Sequence, residues 1–331
     1  MTARISVLMP CFNHGTFIGE AIDSVLAQTF QDFEIVVVDD GSTDALTKDV
    51  LSRLATPRTT VLKTENQGLP AARNHAAAHA CGVLFCALDA DDKLAPTWFE
   101  KAAKALDERT DLAFVSHWLE TFGDEHWTWK PERCDLPALL ARNTVNGAAV
   151  VRREAFEAVG GYDASMRDGC EDWDFWLRLA ERGFAGAIIP EVLFYYRRRS
   201  DSMSREMLDE QRYRRPLDTL MAKHEQAYRA HLSAILAAKE AEAQHLIREI
   251  ATIERDRLLS VEPALRRARE ELAAAARKAE RARAERARDE EYERLRWEAT
   301  ELEREIADLR ASWSWRVTAP LRKLYSLLRG R

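Results

Sequence analysis

Three clusters of acidic residues are the part of this sequence best suited to chemistry. The first is Asp39-Asp40, which directly follows the apolar run Val36–Val38 and precedes Gly41. Carboxylates in that position can accept hydrogen bonds from a nucleotide base and from ribose hydroxyls, although they repel phosphate. Asp40 and Ser42 could instead cap the turn and the helix that follows it. This cluster on its own leaves both interpretations open.

The second cluster, Asp89, Asp91 and Asp92, comes directly after the apolar run Val83–Leu88. Three acids within so short a segment repel one another unless a counter-charge is present, and a hard divalent cation supplies one. Mg²⁺ or Mn²⁺ is held by one or two carboxylates together with substrate phosphates. The alternative is a solvated acidic turn that caps the helix starting at Pro96. The position at a strand end favours the metal site.

The third cluster, Glu171, Asp172 and Asp174, is interleaved with Trp173 and Trp176 at the predicted start of a helix. Acids at a helix N-terminus are stabilised by the helix dipole, so ordinary capping is the simple interpretation. Indole rings also bind sugar rings. They exclude water as well, which raises the pKa of a neighbouring carboxylate, as a general base requires.

Alternating strands and helices must position these clusters. Apolar, β-rich runs lie at Ile5–Met9, Glu34–Val38, Thr60–Leu62, Val83–Leu88 and Leu112–Ser116. Helical stretches lie at Thr16–Ala27, Thr43–Leu54, Leu69–Ala80 and Pro96–Leu106. This alternation predicts a largely parallel sheet with helical crossovers. Ligands of such sheets bind beyond the carboxyl ends of the strands, where two of the acidic clusters stand.

The C-terminal part is rich in Ala, Glu, Arg and Leu. Apolar residues spaced alternately three and four apart predict a coiled coil, and they are Tyr292, Leu295, Ala299, Leu302, Ile306, Leu309 and Trp313. An earlier seam with smaller residues comprises Leu265, Ala268, Leu272, Ala275, Ala279 and Ala282. A single solvated helix held by i,i+4 ion pairs is the alternative. We predict self-association through this segment and a helix break at Pro263 from the preceding helical stretch, Leu217–Leu259.

The last residues form a basic, amphipathic segment. Its apolar face holds Leu321, Leu324, Tyr325 and Leu328, and Arg322, Lys323 and Arg329 lie outside that face. A short basic helix preceded by two tryptophans suits a membrane surface. A helix end that docks on a partner or packs on the chain itself is the alternative.

Composition excludes several classes of protein. The chain has 331 residues and a formal net charge of -6, which argues against binding nucleic acid because that function needs a basic face. Its cysteines show no CxxC spacing, which favours reduced, buried thiols over a disulfide scaffold. No apolar stretch is long enough to span a bilayer, and no signal peptide is visible. These features predict a cytoplasmic protein.

Seven motifs occur in order along the chain and together resemble the family 2 glycosyltransferases. They are Val7–Asn13, Ser24–Phe30, Asp39–Asp44, Asn66–Asn74, Asp89–Asp92, Gly160–Asp163 and Glu171–Asp174, within residues 4–204. The resemblance implies an α/β GT-A fold with a Rossmann-like, mostly parallel sheet, followed by an all-α coiled-coil extension. The implied divisions are 1–205 for the glycosyltransferase domain, 206–263 for a helical connector, 264–312 for the coiled coil and 313–331 for the basic tail.

The same resemblance implies a role for each motif residue. Residues implied to bind the nucleotide are Pro10, Phe12, Asp39, Asp40, Arg73, Asp91 and Arg199. Those implied to hold a divalent cation, Mn²⁺ or Mg²⁺, are Asp89, Asp91 and Asp92. Asp172 is implied to be the general base, supported by Glu171. Trp173 and Asn146 are assigned to the acceptor.

One position departs from the family pattern. After Tyr195-Tyr196-Arg197 many relatives carry a histidine, whereas Arg199 stands at that place here, ahead of Ser202-Met203-Ser204. An arginine cannot ligate a cation, but it can pair directly with a diphosphate. The substitution predicts a metal site with fewer protein ligands.

The leading hypothesis is an inverting, metal-dependent glycosyltransferase. It moves one sugar from a nucleotide-diphospho-sugar, with a UDP-sugar favoured, to a hydroxyl of a cell-envelope glycan or lipid-linked acceptor. It works in the cytoplasm, with peripheral contact at the inner face of the bacterial membrane. A non-catalytic nucleotide-sugar-binding scaffold that organises envelope polysaccharide enzymes through its coiled coil is the alternative. A nucleotidyltransferase is a third hypothesis, but the glycine-rich basic phosphate loop expected near the first strand is missing from Pro10–Gly15.

The segment from Trp118 to Val145 carries no motif that indicates a function. Its tryptophans, Trp118, Trp127 and Trp129, could be platforms for an acceptor or parts of the core. We favour the core, because large aromatic side chains are mostly buried on average.

Overall fold

The computed structural model of the chain describes residues 3–199, 210–282 and 289–311. The chain divides into two compact units, Met1–Ala238 and Lys239–Arg331. The strands are β1 (Ile5–Cys11), β2 (Phe33–Asp40), β3 (Thr59–Thr64), β4 (Leu84–Ala87), β5 (Lys93–Leu94), β6 (Leu112–Gly123), β7 (Thr128–Trp129), β8 (Val150–Arg152) and β9 (Ala185–Arg198). The helices are α1 (Ile18–Leu26), α2 (Ala45–Arg53), α3 (Leu69–His79), α4 (Trp98–Glu108), α5 (Leu136–Ala141), α6 (Arg153–Ala158), α7 (Glu171–Glu181), α8 (Glu210–Lys223), α9 (Glu225–Ala230), α10 (Leu232–Ala282) and α11 (Asp289–Ala311).

All the strands of the first unit that the structure describes join one sheet in the order β3-β2-β1-β4-β8-β6-β9-β5, with β7 paired to β6. β1 runs parallel to β2 and to β4, and β2 runs parallel to β3, so the predicted parallel arrangement is confirmed for these strands. The sheet as a whole is mixed rather than mostly parallel. β8 is antiparallel to both β4 and β6, and β5 and β7 are also antiparallel to their neighbours. These three strands are too short for an alternating pattern to reveal them.

Helices cover both faces of this sheet. Successive strand residues point to opposite faces, so Val7 packs in one apolar cluster with α1 and α4, and Leu8 packs in the other with α3 and α7. β1 is buried along its whole length, which is why its sequence is a continuous apolar run. The sheet is therefore a rigid support for the loops at the carboxyl ends of its central strands.

The core on the α7 side also takes in residues beyond β9. Leu220 of α8 is fully buried there, and Ile235 at the start of α10 is nearly so. The first compact unit accordingly extends to Ala238, and the domain boundary at residue 205 stays a prediction.

The second unit is a pair of packed helices. Val261 and Leu265 of α10 pack with Ala299 and Ile306 of α11, so residues of both predicted seams meet within one chain. Arg269 pairs with Glu303, and Glu262 lies 3.7 Å from Arg310, which makes the two helices antiparallel. Self-association through these seams stays a prediction.

The helix break predicted at Pro263 is wrong, because α10 continues through this residue. Proline removes one helical hydrogen bond and crowds the carbonyl four residues earlier. The buried neighbours Val261 and Leu265 pack on α11 and hold the helix together across this defect. Tertiary packing has overridden local propensity here.

Within the described ranges, no helix has an apolar stretch long enough to cross a membrane. The predicted basic tail, residues 313–331, and the segment Ser202-Met203-Ser204 lie outside those ranges. The predicted membrane contact of the tail therefore stays a prediction.

Candidate active site

A cavity of about 950 Å³ lies at the carboxyl ends of β1, β2 and β4. Its position follows the rule for open α/β sheets, and its size lies within the range of small-molecule sites. The predicted site residues that line it are Pro10, Phe12, Asp40, Arg73, Asp89, Asp91, Asp92, Asn146, Glu171, Asp172 and Arg199. Asp39 and Trp173 do not line it. The structure thus brings acids from three separate segments together around one cavity.

The loops after β1 and β2 are tied together at the cavity edge. Asn13 has a left-handed backbone conformation, with φ of 58°, and its side-chain Oδ1 accepts hydrogen bonds from the backbone N–H of Thr43 and of Asp44. Asp39 accepts a hydrogen bond of 2.9 Å from the backbone N–H of Ser42. Asp39 therefore caps this turn, a role predicted for Asp40 and Ser42, and it does not line the cavity.

Asp40 is buried at the base of the cavity in a fixed orientation. Its Oδ1 accepts from the Thr64 hydroxyl at 3.1 Å and from the Gln67 N–H at 2.9 Å. Its Oδ2 accepts from the Gly68 N–H at 2.8 Å. A carboxylate offers about four acceptor positions, so one remains for a donor in the cavity. Asp40 can therefore read a single N–H or O–H group.

Arg73 joins the second and third acidic clusters. It is 3% exposed, and its two terminal nitrogens each donate at 2.8 Å, one to Glu171 and the other to Asp89. Its guanidinium carbon also lies 5.2 Å from the centre of the Tyr162 ring. Burial disfavours the charged form, but Asp89 and Glu171 outweigh this and raise the pKa of Arg73 well above its ordinary value. Arg73 is therefore a permanent cation that fixes both acids.

The second cluster does not form a ready-made metal site with three acids. Asp91 pairs with Arg199 at 2.9 Å, and Asp92 is almost fully buried and accepts from the Arg197 backbone N–H at 2.8 Å. Burial raises the pKa of both Asp91 and Asp92. In the described part of the chain, no group of three or more His, Cys, Asp or Glu side chains is arranged to hold a metal ion. Asp92 is therefore committed to the backbone of Arg197, and the predicted set of three acidic ligands stays a prediction.

Asp172 lines the cavity and is held by two hydrogen bonds. Its Oδ2 accepts from the Asn143 amide at 3.2 Å, and its Oδ1 accepts from the backbone N–H of Trp173 at 2.7 Å. Burial, helped by the charge of Glu171, raises the pKa of Asp172 to about 7, against an opposing effect of Arg73. A carboxylate with this pKa can both lose and accept a proton near neutral pH.

Asp174 has a different role from Asp172, although both belong to the third cluster. It is completely buried, and its carboxylate lies 2.8 Å from Arg178, 2.6 Å from Lys223 and 3.1 Å from the His224 Nε2. Lys223 ends α8, so this carboxylate fastens α8 to α7. Burial opposes the charged form of Asp174, yet hydrogen bonds from His224 and Lys223 hold its pKa below the ordinary value.

Of the two residues assigned to the acceptor, Asn146 lines the cavity and Trp173 does not. Trp173 is 7% exposed, and its indole N–H donates to the Leu139 carbonyl at 2.7 Å, so the ring belongs to the core and its assignment is corrected. One residue further along a helix turns the side chain by about 100°, away from the cavity that Asp172 faces. Asn146 does line the cavity, and its Oδ1 accepts from the Ala148 N–H at 3.0 Å.

Among the residues that border the cavity and were not assigned to the site from the sequence are Trp127, Trp129, Asn143 and Arg167. The expectation that Trp127 and Trp129 are core residues is wrong for Trp127, which is 45% exposed. A detectable signal was their spacing of two, because alternate residues of an extended segment share one face. Trp118 is instead partly buried, and its indole donates to the Pro131 carbonyl at 3.1 Å.

Two groups of solved structures share the fold. The Staphylococcus aureus TarS 1–349 structure superposes with a TM-score of 0.51 at 21% identity, covering 59% of this chain and 60% of that one. The mannosyltransferase PcManGT from Pyrobaculum calidifontis, solved with GDP-Man and Mn²⁺, gives a TM-score of 0.53 at 24% identity, covering 74% of this chain and 76% of that one. These similarities establish the GT-A fold.

Sequence comparison gives the family. The model described as glycosyl transferase family 2 matches residues 6–170. TuaG of Bacillus subtilis (strain 168), a glycosyltransferase assigned to teichuronic acid biosynthesis, is 30% identical over 207 residues, which are 60% of this chain and 81% of TuaG. EpsE of the same organism is 28% identical over 211 residues, which are 61% of this chain and 76% of EpsE. Because the family model and these relatives match, the chain belongs to glycosyl transferase family 2.

Proposed function

We propose that this protein transfers one sugar, with inversion at the anomeric carbon, from a nucleotide-diphospho-sugar to a hydroxyl group of an acceptor. The observation that carries this proposal is the position of Asp172, whose carboxylate is held by the Asn143 amide in the cavity that also holds Asp40, Asp89 and Asp91, and whose burial raises its pKa to about 7. A scaffold that only binds nucleotide sugars has no use for a base tuned to neutral pH.

The chemical step follows from these positions. Asp172 accepts the proton of the acceptor hydroxyl while the hydroxyl oxygen forms a bond to the anomeric carbon. The bond from that carbon to the diphosphate oxygen breaks on the opposite face, and the nucleoside diphosphate leaves with the electron pair. Arg73 keeps Glu171 and Asp89 in place during this step, and Arg199 is positioned to pair with the diphosphate beside Asp91.

A divalent cation fits this donor set, with fewer protein ligands than three. Asp89 and Asp91 are the acids whose side chains keep some exposure, 31% and 13%, while Asp92 is committed to the backbone of Arg197. One or two carboxylates plus phosphate oxygens are the usual environment of Mg²⁺ or Mn²⁺. The bound cation would neutralise the charge that develops on the leaving diphosphate.

The donor proposed is a UDP-sugar. TarS has been solved with UDP-GlcNAc and with UDP, whereas PcManGT has been solved with GDP-Man, so structural neighbours bind either base. Phe12 is exposed in the cavity and provides a ring for a base, and the free acceptor position of Asp40 suits the N–H of uracil. Glycans of the cell envelope are the proposed acceptor class, in keeping with the role assigned to TuaG.

Thermal-shift measurements of the full chain with UDP, GDP and dTDP, each with and without Mn²⁺, test donor binding. We expect stabilisation by UDP that increases when Mn²⁺ is present. Transfer from an α-linked UDP-sugar should then give a β-linked product, detected by its NMR coupling constant. No stabilisation by any of the three nucleotides, or a product with retained configuration, would contradict the proposal.

We also propose that the protein works at the inner face of the cytoplasmic membrane and self-associates through α10 and α11. Co-sedimentation with anionic vesicles, with and without residues 312–331, tests the first point, and equal binding of both forms contradicts it. Light scattering of the full chain tests the second, and a monomer at all concentrations contradicts it.

A further inference from the structure

Two tryptophans, Trp127 and Trp129, line the cavity where β7 pairs with β6, whereas Asp40 ends β2 and Asp89 and Asp91 follow β4, and we call this pair of tryptophans the aromatic wall. Trp127 is 45% exposed although it lines a cavity, and it belongs to none of the apolar clusters in the part of the chain that the structure describes. Trp129 is half-buried against the core beneath the β6 side of the sheet. Burying an indole ring is strongly favourable, so a ligand that covered the Trp127 ring would gain binding energy.

The aromatic wall is held by its backbone. Trp127 accepts a hydrogen bond of 2.9 Å at its carbonyl from the Thr121 N–H, and its own N–H donates to the Thr121 hydroxyl at 2.8 Å. Trp129 lies opposite Leu119 in the β6–β7 pair. Since Trp127 and Trp129 are two residues apart in an extended segment, their rings share one face. The backbone of this segment is therefore fixed, while the Trp127 ring packs in no apolar cluster of the described residues.

The two sides of the cavity suit different chemical groups. Asp40, Asp89 and Asp91 stand on the side of the parallel strands, where a nucleotide and its cation are proposed to bind. Leu119 and Phe194, which pair across β6 and β9, join the tryptophans on the apolar side. Pyranose rings have an apolar face of C–H groups and an edge of hydroxyls, and a ring stacked on an indole would present a hydroxyl edge to the rest of the cavity.

We propose that Trp127 and Trp129 form an acceptor subsite that stacks on a pyranose ring, so that the acceptor is a carbohydrate rather than a bare lipid alcohol or a protein side chain. This inference rests on the proposed transferase function, because Asp172 must meet the hydroxyl of the stacked sugar. Trp127 supplies the open face, and Trp129 supports it from the core side.

Kinetics with a panel of p-nitrophenyl pyranosides as acceptors, in the presence of UDP-GlcNAc and Mn²⁺, test the subsite. The variant Trp127→Ala should raise the KM for the best pyranoside about tenfold, and Trp127→Phe should recover part of that loss. The affinity for UDP, measured by calorimetry, should equal that of the unaltered protein in both variants. Trp297→Ala is the matched control, since Trp297 is 67% exposed on α11 and lies outside the cavity.

The outcomes separate this inference from the proposed function. If Trp127→Ala keeps the unaltered KM for the best pyranoside, or if the unaltered protein bound to UDP and Mn²⁺ binds no pyranoside of the panel by calorimetry, the carbohydrate subsite is wrong while the transferase proposal stands. If the unaltered protein does not bind UDP at all, the transferase proposal fails first. A rise in KM for Trp297→Ala equal to that of Trp127→Ala would also overturn the subsite.

Discussion

The two sides of the cavity are held in opposite ways. On the charged side, every acid has partners within the protein: Asp40 accepts three hydrogen bonds, and Arg73 bonds two acids at once. On the aromatic side, Trp127 is held through its backbone, and its ring, 45% exposed, packs in no apolar cluster of the described residues. The charged side is preorganised for one fixed chemical task, and the aromatic side is a surface that different ligands could share. The following predictions test this division.

The largest effect should come from removing the base. Asp172→Asn keeps the shape of the side chain but cannot accept a proton, so kcat for sugar transfer should fall about a thousandfold, within the usual range for general bases. UDP affinity should stay the same, because Asp172 is assigned to the acceptor hydroxyl. Steady-state kinetics and calorimetry measure both quantities. A kcat within threefold of the unaltered value would mean that another group takes the proton.

Loss of Arg73 should damage the fold as well as the reaction. Arg73→Met leaves Glu171 buried beside no cation, so the free energy of unfolding should fall by about 3 kcal/mol. Chemical denaturation measures this change. The double variant Arg73→Met/Glu171→Gln should recover part of it, because the unpaired charge is then gone. Arg109→Met is the matched control, since its ion pair with Asp111 is exposed, and an equal loss there would contradict the argument.

The pH dependence should report Asp172 directly. Since its pKa is about 7, kcat/KM should fall about tenfold for each pH unit below 7 and level off above it. The free energy of unfolding should change in the opposite direction and fall as the pH rises towards 7. The folded state holds this proton more tightly than the unfolded chain, so the contribution of Asp172 is complete below pH 3.8 and is lost as the pH rises through 7. Asp172→Asn should remove this dependence of stability, and its persistence in the variant would assign it to another group.

Arg199 tests whether the charged side also holds the diphosphate. Arg199→Ala removes the partner of Asp91, so UDP affinity and turnover should each fall about tenfold. Arg199→Lys should recover only part of the loss, because an ammonium cannot form the two-point contact of a guanidinium. Calorimetry with UDP and Mn²⁺ checks this. Unchanged affinity and unchanged turnover in Arg199→Ala would end the idea that arginine replaces histidine here.

The charged side and the aromatic side of the cavity also differ in how much of each could be predicted from the sequence. The acids of β2 and β4 were found because they directly follow apolar strands, and the parallel strands were found from those same runs. Asp172 and Asp174 could not be assigned to different roles from cluster composition alone, although two residues along a helix turn a side chain by about 200°. β5, β7 and β8 are too short to show a pattern. Trp127 was assigned to the core rather than to an acceptor platform, because the pairing of β6 with β7 that places this segment is not visible in the sequence.

The smallest predicted effect is a difference in the free energy of unfolding between variants of Trp127 and of Trp129. Trp129 packs on the core, so Trp129→Ala should lower the free energy of unfolding by about 1 kcal/mol, roughly half the value of a fully buried large side chain. Trp127→Ala should change it by less than about 0.5 kcal/mol, because its ring is open and packs in no apolar cluster of the described residues. Denaturation of both variants without ligand measures the difference. An equal loss for both would mean that Trp127 supports the fold, and its exposed ring would no longer indicate a surface kept open for a ligand.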